Sequence, residues 1–137
     1  CRGDLPVILR HGYITSEMIS NIFNSNLLVP QDFDELISPG QIKSHYSPKA
    51  NVYINQKFRI DNSAWLAFGN VPKTLQKEQI MFNLSPSGNL FQACNLLYSG
   101  LRYLDSFGVK NIQVMPIPMK GIGIAINDRL KRASYQN

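Results

Sequence analysis

Residues 80–133 read IMFNLSPSGNLFQACNLLYSGLRYLDSFGVKNIQVMPIPMKGIGIAINDRLKRA, and the period of their apolar residues decides the fold. Ile80-Met81-Phe82-Asn83-Leu84 is an apolar run of strand length, closed by the loop Ser85-Pro86-Ser87-Gly88. From Asn89 to Phe107 the period changes. Leu90, Cys94, Leu97, Leu101 and Leu104 recur at alternating steps of four and three, with Phe91 and Tyr98 flanking the stripe. That spacing predicts a helix, with Asn89 as its N-cap and Gly108 as its stop. Ile112 to Ile117 reads as the next strand and Ile122 to Ala133 as a final helix. Strand, helix, strand, helix at this spacing predicts βαβ units and a mainly parallel sheet.

Working upstream, Val52-Tyr53-Ile54 reads as a short strand and Trp65-Leu66-Ala67-Phe68-Gly69 as a buried strand ending at glycine. Thr74 to Glu78 has room for a brief helical turn. Residues 51–137 are therefore expected to form a small three-layer α/β domain. Before it, residues 29–50 carry Pro30, Pro39, Pro48 and Gly40 and show no sustained apolar period. A connection of that length marks a linker or a lid, and the two roles are compatible. Earlier still, Val7 to Leu9 reads as a strand closed by His11-Gly12. Thr15 then caps a helix whose Met18, Ile19, Ile22 and Phe23 share one face. This strand–helix tail occupies residues 1–28. A first residue that is cysteine, with a strand entered at once, predicts that the chain starts partway through a larger protein.

An apolar content of 44% and a charged content of 17% suit a chain that buries a real core. The formal charge of +5 permits a polyanionic partner without demanding one. The basic residues are scattered except where Lys120, Arg129, Lys131 and Arg132 gather. Cys1 and Cys94 make neither a disulfide framework nor a metal cluster, and a reducing, cytoplasmic setting fits them. No apolar run approaches the ~20 residues needed to cross a bilayer, so no membrane role is expected.

Candidates for chemistry are few. His11 and His45 stand apart from one another and from cysteines or paired carboxylates at ligand spacing, so no metal ligands are assigned. No G-x-S-x-G elbow is present. Gly121-Ile122-Gly123 follows a strand and opens a helix, where backbone amides could hold a phosphate. The third glycine of a dinucleotide fingerprint is missing, and tight strand-to-helix packing explains the pair equally well. The densest concentration of polar chemistry is Ser38-Pro39-Gly40-Gln41-Ile42-Lys43-Ser44-His45-Tyr46-Ser47-Pro48-Lys49. It sets a cation, an imidazole, a phenol and hydroxyls between stiffening prolines. It reads either as a polar linker or as a lid presenting these groups to an anionic ligand.

That stretch, as Ser-Pro-Gly-x-x-x-x-His-Tyr-x-Pro-Lys, resembles the linker of two-domain threonylcarbamoyl-AMP synthases. Pro6-Val7-Ile8-Leu9-Arg10-x-Gly12-x-Ile14-Thr15 resembles the last strand and turn of that family's catalytic domain. Leu84-Ser85, Gly88 to Ala93 and Leu101 to Asp105 are similar to the accessory domain's central helix region, and Ile117-Pro118 with Gly121 to Ala133 to its closing strand–helix unit. The matches run in the family's order over nearly the whole chain.

The resemblance implies the C-terminal part of a nucleotidyltransferase that joins L-threonine, bicarbonate and ATP into threonylcarbamoyl-AMP, with magnesium, and releases pyrophosphate. The product serves tRNA N6-threonylcarbamoyladenosine modification through a downstream threonylcarbamoyl-transfer machinery. It further implies a Rossmann-like accessory domain after a catalytic domain of double-stranded-RNA-binding-like fold, most of which is the missing partner of this piece. No catalytic residue is assigned within residues 1–137, and this piece alone is expected to be inactive and to hold no cofactor.

The resemblance also assigns substrate or nucleotide contacts to Arg10, Ser38, Lys43, Ser44, His45 and Tyr46. Arg10 would border the nucleotide site, and His45 and Tyr46 would shield the labile adenylate from water. Two positions depart from the family pattern: Ser44 stands where some members have arginine, and His11 where proline is common. The competing reading is a stand-alone α/β module binding a nucleotide or tRNA without catalysis. A structural or dimerising domain is a third.

Overall fold

The computed structural model describes Ile8 and residues 12–23, 48–57, 60–76 and 80–134. Its elements are α1 (Ser16–Phe23), β1 (Asn51–Tyr53), β2 (Ser63–Ala67), α2 (Lys73–Gln76), β3 (Met81–Asn83), α3 (Leu90–Asp105), β4 (Asn111–Val114) and α4 (Ile122–Ser134). The strands form one sheet in the order β1-β4-β2-β3. Every pairing is parallel. This is the parallel α/β arrangement that the alternating pattern predicted, and the Rossmann-like domain that the resemblance implied.

Helix α3 forms where the leucine stripe placed it. Asn89 caps it, its Oδ1 accepting from Phe91 N at 2.9 Å and Gln92 N at 3.0 Å. Ser106 closes it, and Gly108 turns the chain away at φ +66°. Its face of Ala93, Cys94, Leu97, Leu101 and Leu104 is buried, while Phe91 and Tyr98, at the stripe's margin, are 44% and 39% exposed. Helix α4 lies beside it and buries Ile122, Ile126, Leu130 and Ala133. Together they cover one sheet face made of Val52, Ala64, Leu66, Ile112 and Val114. Burying each large aliphatic side chain there contributes about 1.5–3 kcal/mol. That core is the main source of stability.

Alternation along the strands sends Trp65 and its register partner Gln113 to the opposite face. Both are buried. Gln113 is the costlier residue to bury, and its Oε1 accepts from Ile60 N and Ser63 Oγ, each at 2.7 Å. The polar atom thereby offsets its lost hydration.

Three local expectations shift. The strand read at Trp65–Gly69 sits two residues earlier, because Phe68 and Gly69 already leave the ladder for the next loop. The strand read to Ile117 stops at Val114, just before Pro116, which has no N–H to continue a ladder. Helix α1 forms on its Thr15 cap, with Met18 N donating to Thr15 Oγ1 at 3.3 Å. Its expected inner face is instead largely open: Met18 is 45% and Ile22 78% exposed.

Both sides of the linker have described neighbours. On its far side Ala50 is buried, and its N–H donates to Asp105 Oδ1 at 2.9 Å, at the end of α3. Asn51 N then donates to Lys110 O at 2.9 Å and starts β1. The linker's exit is fixed to the amino end of the sheet.

Candidate functional site

In a parallel sheet the carboxyl ends of the strands gather loops and helix amino termini, and ligands bind where successive connections diverge. Here the connection after β2 runs through α2 to β3, while the one after β4 enters α4, which packs on β1 at the other side. The divergence lies between β2 and β4. Two polar features and one aromatic contact stand at this end.

The first feature is built on Ser85, which is fully buried. Its Oγ lies 2.6 Å from Gln92 Oε1, to which it donates, and accepts from Asn89 N at 2.9 Å. With that single proton committed, Ser87 Oγ, 3.2 Å away, is the donor in their contact. Asn83 Oδ1 accepts from Ser85 N at 3.0 Å, and Asn83 Nδ2 donates to Gly69 O at 3.0 Å. The loop after β3 is thus tied to the loop after β2 and to the first turn of α3. None of the partners of the Ser85 hydroxyl is a base, so the arrangement positions backbone and is not a nucleophile's. Ser85→Ala is expected to cost about 1–3 kcal/mol, because it strands the Asn89 amide and the Gln92 carbonyl. Denaturant unfolding followed on Trp65, the chain's sole tryptophan, measures it.

The second feature is the Gly121-Ile122-Gly123 turn. Gly121 has φ +50°, which a residue with a Cβ rarely adopts. A Cβ on Gly123 would stand 2.0 Å from Pro118 O. Gly123 N donates to Lys120 O at 2.9 Å and Ile124 N to Gly121 O at 3.2 Å. Asn127 Nδ2 donates to Ile117 O at 3.1 Å and Gly123 O at 2.8 Å, lacing the helix to its connection. Close packing therefore accounts for Gly123, and the positive φ accounts for Gly121, beside which a Cβ would meet nothing within 4 Å.

The turn is also covered. A cavity of about 40 Å³ lies between Ile8, Gly12, Ile14, Thr15, Ser16 and Glu17 on one side and Gly121, Ile124 and Ala125 on the other. That is room for a water or two. Beside it the Tyr13 and Phe91 rings meet at 5.4 Å between centroids, tilted by 57°.

The basic cluster is partly committed to the fold. Arg129 Nη1 donates to the buried Cys94 Sγ at 3.2 Å, and its guanidinium lies 5.8 Å from the Tyr98 ring centroid. Arg132 pairs with Asp128 at 3.0 Å. Among the described residues no group of three or more His, Cys, Asp or Glu could hold a metal. No described helix is long and apolar enough to cross a membrane.

Gly121 and Gly123, the possible phosphate turn of the sequence reading, form the turn just described. Arg10, Ser38, Lys43, Ser44, His45 and Tyr46 lie outside the described residues. Ile8 and Gly12, on either side of Arg10, both line the cavity beside Gly121. The sequence reading missed the Ser85–Gln92 pair and the Tyr13–Phe91 contact. Gln92 follows its cap by three residues, a spacing that signals side-chain contact across a helix start; nothing local signals the second.

Residues 14–134 match the family model described as threonylcarbamoyl-AMP synthase, C-terminal domain. The fold is similar to that in the crystal structure of P. abyssi Sua5 complexed with L-threonine, with a TM-score of 0.75 and 22% sequence identity. That alignment covers 93% of this chain and 42% of the Sua5 chain.

Proposed function

The chain belongs to the threonylcarbamoyl-AMP synthase C-terminal domain family, and from that premise we propose that it serves as the linker lid and accessory domain of an enzyme making threonylcarbamoyl-AMP. The observation that carries this reading is the family match over residues 14–134, which takes in the linker as well as the sheet domain. In the proposed reaction L-threonine, bicarbonate and ATP with magnesium give threonylcarbamoyl-AMP, pyrophosphate and water. That product is the donor for tRNA threonylcarbamoyladenosine. The boundaries proposed are 1–28 for the catalytic-domain tail, 29–50 for the linker and 51–137 for the accessory domain.

Each part has a physical task. Arg10 offers a guanidinium to phosphate or adenylate. Ser38, Lys43, Ser44, His45 and Tyr46 lie on the linker that would close over the bound adenylate, whose mixed anhydride water would otherwise hydrolyse. A lid must return to the same place at each cycle. Ala50 held by Asp105 supplies a fixed end from which it moves. ATP, magnesium and threonine are assigned to the catalytic domain.

The test of the lid is Tyr46→Ala in the enzyme that contains this region. Adenylate yield is expected to fall about 10-fold or more while ATP consumption falls less, because an unshielded site loses product to water. Equal yield from the variant rejects the lid role. Residues 1–137 alone are expected to release no pyrophosphate from ATP with threonine, bicarbonate and magnesium present.

A further inference from the structure

A helix face that meets only water is rich in charged residues of both signs. The outer face of α3 is not. Phe91, Tyr98 and Tyr103 are 44%, 39% and 47% exposed, and Phe107, just past the helix end, is 50% exposed. Arg102 is the helix's sole cation, and no carboxylate occurs between Glu78 and Asp105. Asp105 itself is half-buried and accepts from Ala50 N. Because Phe91 rests on Tyr13, the open part of the face runs from Tyr98 to Phe107.

Its rings are held by their neighbours. Tyr103 lies between Phe82 and Phe107, with centroids at 5.5 and 5.1 Å. Phe82 comes this close because Gly100 leaves room: a Cβ there would stand 2.8 Å from Phe82 Cδ1. On the other side Arg129 Nη1 donates to Cys94 Sγ, which keeps the guanidinium 5.8 Å from the Tyr98 ring. Aromatic rings and two arginines thus stand side by side on packed helices.

The charge of the domain selects the occupant. Residues 51–137 hold ten of the fourteen lysines and arginines but four of the nine acids, a balance of +6, while residues 1–50 stand at −1. A second copy would bring the same positive charge to the face. The face also offers on the order of a few hundred Å2, against about 800 Å2 per partner in a stable protein interface. Cations beside exposed rings are instead the pattern that recognises single-stranded nucleic acid, since cations meet its phosphates and rings stack on any base.

We propose that the Tyr98–Phe107 face of α3, with Arg129 of α4, docks a single RNA strand. Its bases stack on Tyr103 and Phe107, and its phosphates meet Arg102 and Arg129. The choice of RNA over DNA rests on the proposed synthase reading, whose product is destined for a tRNA. The strand-docking face itself rests on geometry and charge.

Fluorescence anisotropy of residues 1–137 with a labelled oligouridine of about 12 nucleotides, within the site sizes such surfaces cover, tests the face. Binding is expected to weaken as salt rises, because phosphate contacts release counterions. Tyr103→Ala is expected to weaken it about five-fold or more, the lower bound for losing one stacked base, with the salt slope unchanged. Phe107→Ala, outside the helix, carries the same expectation, and Tyr103→Phe is expected to bind as wild type does. Arg102→Ala is expected to weaken binding and to lower the salt slope by about one. Trp65 fluorescence checks that each variant is folded.

Undetectable binding of oligouridine, or wild-type affinity in both ring variants, overturns the proposal. Equal affinity for polyglutamate also overturns it and makes an acidic protein the occupant. Tighter binding of the deoxy strand overturns the choice of RNA. An enzyme that makes no threonylcarbamoyl-AMP removes the ground for preferring RNA, whereas the titration still decides the strand-docking face.

Discussion

Gly123→Ala is expected to lower folding stability by about 3 kcal/mol or more, the upper range for forcing atoms into a packed site. The new Cβ would stand 2.0 Å from Pro118 O and 3.4 Å from Leu90 Cδ2. The first is backbone, and no rotamer can move it aside. Relief requires α4 to slide away from the β4 connection, which breaks the Asn127 bond to Ile117 O. It also opens the core at Ile122 and Ile126, which the helix's first turns bury. Against a total stability of about 5–15 kcal/mol for a domain, such a loss moves the midpoint of unfolding far. Thermal or urea unfolding on Trp65 fluorescence reads it directly. A variant as stable as wild type would show that the turn relaxes freely.

Leu97→Ala is the second large effect, expected at about 2–5 kcal/mol. Leu97 is fully buried at the centre of the α3 stripe, which packs on β2, β3 and β4. Truncation leaves a cavity between α3 and the sheet, which surrounding side chains fill only in part. The loss should be uniform across probes, since α3 spans the sheet's middle. By contrast, Phe91→Ala on the exposed margin of the same helix should change global stability little. A Leu97→Ala loss below 1 kcal/mol would mean that the α3 face is not a packed core.

The contrast between these positions shows what was legible in the sequence. The step-four, step-three recurrence of Leu90, Cys94, Leu97, Leu101 and Leu104 was enough to set α3, because periodicity records which face is buried. Asn89 marked its start, since a side-chain acceptor there meets the first free amides. Parallel pairing followed from alternation of strands and helices. Strand ends were less legible: β4 ends at Val114 although apolar residues continue to Ile117. There Pro116 outweighs the apolar run.

Long-range contacts left no local trace. The approach of Gly123 to Pro118 was one of two readings of a G-x-G turn, and only coordinates weigh it. The hold of Asp105 on Ala50 spans 55 positions. Tyr13 and Phe91 are separated by most of the chain, and each looks like an ordinary aromatic. Helix α1 shows the converse problem. Met18 and Ile22 were patterned for burial, yet they are open in this chain. Pattern states which face is apolar, not what covers it.

Mass spectrometry of the reaction mixture bears most directly on the proposed function. The enzyme containing this region is incubated with ATP, magnesium, L-threonine and bicarbonate, each omitted in turn. A threonylcarbamoyl-AMP peak that needs all of ATP, threonine and bicarbonate, and that falls at least about 10-fold when residues 29–137 are deleted, is the predicted result. An enzyme that forms the adenylate equally well without those residues, or that consumes ATP without forming it, contradicts the role assigned to this chain.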